Sequence, residues 1–483
     1  MFDGRRNLNI DPYCNDLEKS KDDEDDIPDE ILERPAFQLE RDEANEMVES
    51  QHHLSTPVTT STRTSNQCSD GEYRNYVSII DIDDDISDND DPQLQVAIEE
   101  SLTKTDTKEE SQSVQELLNV FQSTNISTSE STSLNANITV SRKSVFSSTQ
   151  RAIGRKRFTF FKRVIIAFAG EEAVDDGGPT REFFRLLMRE ISESSIFHGS
   201  WFSHDLGLLA DSRYELAGKL VAWSILHGGS GPRCLSSVGY DLQQSVHVTL
   251  ADGVNAVNDM EMKSMLQEFM NCSSEDTFTS LVNQHGDKIA EFGYPKIYCC
   301  NLSNKSEMIE SLLKQHFVYG VHAEVSQFFN GLNSIGQLGD MILQNKQLFD
   351  LILGNQNPSL TKSSFMKLYK INSSEEGSNQ RSKEDSTIYC FEIFLQDLEE
   401  GDVTGLSLED LLVFITGADC LPPLGFSKNI IVDFYNFEEN SRRRPYASTC
   451  GLYFFLPRGF EDPVEFSKFM REALLECHGF GKL

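Results

Sequence analysis

The chain divides by charge, and the division limits what its N-terminal part can fold into. Residues 1–136 hold 33 Asp plus Glu against 10 Lys plus Arg, a net −23 out of −34, which leaves −11 for residues 137–483. Asp, Glu, Ser, Thr and Asn dominate the first segment and aromatics are few, so it cannot bury enough apolar area to offset the entropy of fixing its chain. A disordered acidic tail over 1–136 is the expectation, and its charge is the wrong sign for a nucleic-acid partner. Residues 137–483 are long enough to build one sizeable folded region.

Cysteine usage narrows the class further. The ten cysteines include no Cys-x-x-Cys pair and no regular spacing, which argues against a disulfide framework and against a zinc ribbon. Cys299-Cys300 and Cys477-His478 are adjacent in sequence, poor geometry for a shared tetrahedral site, so no metal is expected. The N-terminus shows no signal-peptide core, and no stretch reaches the roughly 20 apolar residues needed to cross a bilayer. The expectation is a chain that works in the cytosol, the nucleus or both, with no membrane partner. Arg151, Arg155 to Arg157 and Lys162-Arg163 have the composition of a nuclear signal, but also that of an ordinary solvated face.

Within residues 137–483, Glu182 to Ile191 and Tyr214 to Leu226 repeat apolar residues at helical spacing. Gly177-Gly178-Pro179 reads as a turn, with Thr180 or that turn capping the helix behind it. The two glycines lack the spacing and the Lys-Ser/Thr ending of a phosphate loop. Ser373 to Ser386 is polar and aperiodic, the composition of a linker. Beyond it, Ser407 precedes a helix over Leu408 to Ile415, Ile430 to Phe437 and Leu452 to Leu456 read as strands, and Pro463 opens a last helix over Asp462 to Cys477.

Cys450 stands at the end of Arg-Pro-Tyr-Ala-Ser-Thr-Cys and before the apolar run Leu452 to Leu456. On its own it reads as a small buried apolar residue. Its neighbours also allow a nucleophile, because Arg442, Arg443, Arg444 and Arg458 supply positive charge that favours a thiolate. In the loop before a strand, the thiol can be exposed while the following residues are buried.

Pro445, Ala447, Thr449, Cys450, Leu456 and Pro457 resemble the active-site segment of HECT-type ubiquitin ligases. The resemblance continues upstream at Phe168-Ala-Gly-Glu171 and Val174-Asp-Asp-Gly-Gly-Pro-Thr-Arg-Glu-Phe-Phe184. It continues at Asn304-Lys305, Phe328-Phe-Asn-Gly331, Leu348 to Gly354, Leu411 to Gly417 and Leu424-Gly-Phe426, all in the family's order. The chain departs from the pattern at Ser448, where many members carry His, and at Arg444, where Leu is common.

The resemblance implies an α+β fold: a bilobal HECT domain behind the tail, with a mainly helical larger lobe over 137–372, a linker over 373–386 and a mixed α/β smaller lobe over 387–483. It implies an E3 ubiquitin ligase, a cysteine acyltransferase that takes ubiquitin from a conjugating enzyme onto Cys450 as a thioester and passes it to a substrate lysine. That chemistry would need no cofactor, Thr449 would support it through its hydroxyl, and Phe480 would be the C-terminal aromatic used in transfer. In the tail, Asp90 to Asp106 resembles a ubiquitin-interacting motif, with Leu94, Ala97, Ile98 and Ser101 on one face of a short helix behind Pro92. Val77, Ile79 and Ile80, followed by Asp81 to Asp85, resemble a SUMO-interacting strand that would add to a partner sheet. The implied partners are therefore a conjugating enzyme, ubiquitin, protein substrates, and SUMO or SUMO-modified proteins.

Two other readings stay open on the residues. One is a catalytically weak scaffold that keeps the HECT fold for binding ubiquitin or SUMO. The other, a papain-like thiol hydrolase, lacks a recognisable His pairing among the ten histidines.

Overall fold

The computed structural model describes residues 113–126, 135–171, 175–356, 359–437 and 443–476. The tail segments 77–85 and 90–106, and Phe480, lie outside the described residues. Two hydrophobic cores organise the rest, one built from residues between Leu118 and Leu353 and the other from residues between Phe365 and Leu474.

The first core is mainly helical. Its N-terminal element is a helix, α1, over Val114–Asn125, with a reciprocal capping box between Ser113 and Glu116. Leu118 and Phe121 point into the core, and Gln122 Nε2 donates to the Leu226 carbonyl at 3.0 Å. Within the tail expected over 1–136, Val114–Asn125 is thus helix packed on the first core. Composition summed over the segment masked one short amphipathic stretch whose apolar face has a partner elsewhere in the chain.

Strands β1 (Ala136–Val140) and β2 (Val164–Phe168) pair in parallel around the helix α2 (Val145–Ile153), with Val164, Ile166 and Phe168 buried. Next comes α3 (Gly178–Ser192), which buries Phe183, Phe184, Leu187 and Ile191. The helix α4 (Arg213–Leu226) is buried on nearly every side and crosses α5 (His322–Asn333) at close range. Gly331 of α5 makes the crossing possible, since a Cβ there would overlap the Glu215 carbonyl oxygen. Trp223 of α4 is ringed edge-on by Phe158, Phe160 and Phe184, each ring adding burial and favourable edge contacts.

The second core carries a four-stranded sheet. Strand β3 (Tyr369–Ile371) pairs in parallel with β4 (Ile430–Tyr435), and β4 in parallel with β6 (Tyr453–Pro457). The edge strand β5 (Tyr446–Ser448) closes an antiparallel hairpin with β6. Three helices cover this sheet: α6 (Asn379–Glu400), α7 (Leu408–Thr416) and α8 (Pro463–Glu476). The expected cap is present on α7, where Ser407 and Asp410 form a capping box.

Two boundaries differ from the sequence reading. Phe365 is fully buried in the second core and Tyr369 to Ile371 belong to its sheet, so the passage between cores lies between Leu353 and Phe365 and not at 372. Half of the 373–386 linker is helix, because α6 starts at Asn379 behind a Ser378 cap. The polar run misled because its buried polar members are satisfied. Glu384 accepts from Ser374 N and Oγ, each at 2.7 Å, and from Arg458 Nε at 2.7 Å. Just past the run, Thr387 Oγ1 donates to the Pro457 carbonyl at 2.9 Å. Buried polar groups so paired cost little.

The architecture is α+β, as expected. Among the described residues no helix is long and apolar enough to cross a membrane, and no group of three His, Cys, Asp or Glu side chains is placed to hold a metal.

Candidate functional site

Cys450 lies in the turn of the β5–β6 hairpin, one residue further from β6 than the apolar pattern alone suggests. Ser448 pairs with Tyr453, leaving Thr449 to Leu452 to turn the chain. Leu452 adopts φ +55°, in the left-handed region that costs a branched side chain about 1 kcal/mol or more. What holds it there is its fully buried side chain, and its carbonyl accepts from Ile431 N at 2.8 Å. Leu452, Phe454 and Leu456 point inward while Cys450 stays half-buried at the surface of its lobe. The sequence reading placed the thiol before a strand but did not anticipate β5, whose three residues are too short for a periodic signal.

The surface that Cys450 meets is the N-terminus of α3 in the larger lobe. A Cβ on Gly178 would lie 3.1 Å from the Cys450 sulfur and would overlap the Thr449 hydroxyl, so only glycine lets the hairpin sit here. Thr449 is 6% exposed. Its hydroxyl packs on Gly178, while its carbonyl accepts from Arg181 Nη2.

Arg181 also donates from Nε to the Thr416 carbonyl at 2.8 Å, and Arg185, one turn later, donates from Nε to the Gly417 carbonyl at 3.2 Å. These carbonyls close the C-terminus of α7, where cations are favoured by the helix dipole. Two arginines of one larger-lobe helix thus grip the end of a smaller-lobe helix and the thiol-bearing turn.

Asp175 fixes the start of α3. Its carboxylate accepts from Ile166 N at 2.8 Å, Gly177 N at 2.9 Å and Thr180 N at 3.3 Å, and also from the Thr180 hydroxyl. Thr180 is therefore inside the helix, whose N-cap is Gly177 of the preceding turn, with Asp175 accepting from the first-turn amide of Thr180. Glu182, nearly buried, is held by Arg142 at 2.6 Å, which also binds Glu171 and lies 3.9 Å from the centre of the Phe168 ring.

Electrostatics at the contact is set by burial. Burial pulls the Arg181 pKa below its ordinary value, and the negative charges of Cys450 and then Asp175 oppose that pull. Arg185 is lowered in the same way, with Asp419 and Glu182 opposing. Cys420, in the same inter-lobe cleft, is pushed up by burial.

Three of the arginines near Cys450 in sequence have other partners. Arg443 lies 3.8 Å from the centre of the Tyr446 ring, Arg444 reaches Glu472 at 3.7 Å, and Arg458 binds Glu384. Arg181, far away in sequence, is a cation on which the charge of Cys450 acts. It sits inside the 174–184 stretch that carried the resemblance, but no local pattern tells that its side chain crosses to another lobe.

A bilobal molecule in which a hairpin thiol of the mixed lobe meets a helix of the helical lobe matches the HECT-domain (ubiquitin-transferase) family model over residues 178–482, and the chain belongs to that family. Among its relatives, the G2/M phase-specific E3 ubiquitin-protein ligase of Gallus gallus is 26% identical over 260 residues, 53% of this chain and 34% of the relative. The protein of the same name from Homo sapiens is 24% identical over 294 residues, 59% of this chain and 40% of the relative. E3 ubiquitin-protein ligase Smurf1 of Drosophila melanogaster is 25% identical over 217 residues, 42% of this chain and 20% of the relative. The chain therefore spans well under half the length of these relatives.

Proposed function

We propose that the chain is an E3 ubiquitin ligase that works through Cys450. The observation that carries this reading is the placement of Cys450, half-buried on a hairpin turn at the lobe contact, with its backbone braced from the opposite lobe. The Cys450 sulfur, as thiolate, attacks the carbonyl of ubiquitin's thioester on a conjugating enzyme. A new C–S bond forms, the old one breaks, and the enzyme's cysteine departs with the electron pair. A substrate lysine then attacks the Cys450 thioester, an amide forms, and Cys450 leaves as thiolate while the amine proton passes to solvent. Thioester exchange is nearly isoenergetic, so orientation is the main thing the protein must supply.

The docked arrangement leaves the sulfur against Gly178, so charging requires the smaller lobe to swing away, and the passage between Leu353 and Phe365 is where the chain can hinge. Thr449 supports the site through its carbonyl, held by Arg181, and Phe480 is proposed as the C-terminal aromatic of transfer. Single-turnover charging tests the reading. A reductant-sensitive ubiquitin adduct on the wild-type chain that is absent from Cys450→Ala supports it. No adduct across a panel of charged conjugating enzymes, from folded protein, refutes it in favour of a binding scaffold.

The tail adds a proposal about partners, in the cytosol or nucleus. Leu94, Ala97, Ile98 and Ser101 would dock on ubiquitin and Val77, Ile79 and Ile80 on SUMO, which would recruit substrates already carrying either modifier. Deleting residues 77–102 is expected to abolish binding to both free proteins, and unchanged titration curves would dismiss the idea.

A further inference from the structure

We propose that Arg181 is a positioning residue of the transfer site, supplied by the larger lobe, which holds the Thr449–Cys450 backbone and brings a cation to the thiol-bearing turn while the lobes are docked. This inference rests on the reading of Cys450 as the ubiquitin acceptor.

The planar fork of one guanidinium reaches two carbonyls on separate segments of the smaller lobe, Thr416 and Thr449. A lysine could not make both bonds with the same geometry. The charges around the thiol are divided between partners. Glu182 is engaged by Arg142, and Arg185 faces Asp419. Asp175 is spent on backbone amides and the Thr180 hydroxyl at the start of α3, close enough to act on Arg181 as well. Arg181 donates to the Thr449 carbonyl next to Cys450 and is the cation of this group on which the Cys450 charge acts.

The consequence differs between the two steps. When a lysine amine attacks the Cys450 thioester, the C–N bond forms, the C–S bond breaks, the amine proton passes to solvent, and negative charge appears on the Cys450 sulfur, in the turn that Arg181 holds. During charging, the Cys450 charge is instead consumed and the new thiolate belongs to the conjugating enzyme. A cation fixed here therefore favours discharge over charging.

The test uses the full chain as wild type, Arg181→Gln, Arg181→Lys and Arg189→Gln, the last an exposed cation on the same helix. Iodoacetamide alkylation of Cys450, read by peptide mass spectrometry, is followed against pH without ubiquitin. Arg181→Gln is expected to slow alkylation about threefold near neutral pH and to converge on the wild-type rate in strongly alkaline buffer, where a thiol ionises with or without a neighbouring cation. Arg181→Lys is expected to restore most of the neutral-pH rate, and Arg189→Gln to follow wild type. In single-turnover assays Arg181→Gln should slow discharge to free lysine more than charging. An unmoved profile in Arg181→Gln, no rescue by Lys, or an equal shift in Arg189→Gln would each overturn the assignment. Alkylation needs no ubiquitin, so a wild-type chain that fails to charge refutes the ligase reading without touching this measurement.

Discussion

Gly178 and Cys450 belong to different lobes, yet a Cβ on Gly178 would stand 3.1 Å from the Cys450 sulfur. The helix start and the thiol turn are thus fitted to each other, and the fit depends on the absence of a side chain. Gly178→Ala is expected to push the lobes apart without unfolding either core, because the overlap with Thr449 falls on the interface alone. Hydrogen exchange is the measurement. Faster exchange confined to peptides from 178–183 and 446–452, with the core of α7 unchanged, is the expected pattern. Unchanged exchange at both sites would mean that the contact is too weak to persist in solution.

Gly331 offers the contrasting case inside one lobe. A methyl group there meets the Glu215 backbone, not a movable side chain, so α4 and α5 must separate to admit it. Gly331→Ala is expected to cost about 2–3 kcal/mol of stability, visible as a lower denaturant midpoint. A midpoint within error of wild type would show that the helices can shift cheaply.

Phe121 tests whether α1 belongs to the folded part. Its ring is 3% exposed and sits in the first core. Phe121→Ala is expected to destabilise that core by about 3 kcal/mol. The same substitution in an unfolded tail would do nothing measurable, so a null result from chemical denaturation would return 114–125 to the tail.

These three sites also show what was legible in the sequence. Strong periodicity gave α3 and α4, a cap followed by an apolar run gave α7, and the order of short matches gave the bilobal architecture. Local chemistry failed where a residue's role is set by a distant partner. Glu384 looked like linker polarity because its partners, Ser374 and Arg458, are ten and 74 positions away. The three residues of β5 had too little length to show alternation, and α1 was diluted by the acidic sequence around it. At the candidate site the motif singles out Cys450, but the arginine bonded to the neighbouring Thr449 carbonyl is not among the arginines beside it in the chain, since 268 positions separate Arg181 from Thr449.

His227 carries a pH dependence whose sign follows from its burial. Its Nε2 bonds to the Phe160 carbonyl at 2.8 Å and its ring stacks on Phe184. Burial pulls its pKa below the ordinary 6.5, with the Phe160 bond opposing, and burial acts on His316 in the same direction. The folded state therefore binds fewer protons than the unfolded chain just below that value, and stability rises with pH across the window. The contribution is complete above about pH 6.5 and declines as pH falls through the lowered folded-state value. Urea midpoints measured from pH 7.5 down to pH 5.5 are expected to fall, and His227→Gln, which removes one of the two groups, is expected to flatten the slope. A slope identical to wild type would mean that His227 is protonated in the folded protein at no cost, contrary to its enclosure by Phe160, Phe184 and Trp223.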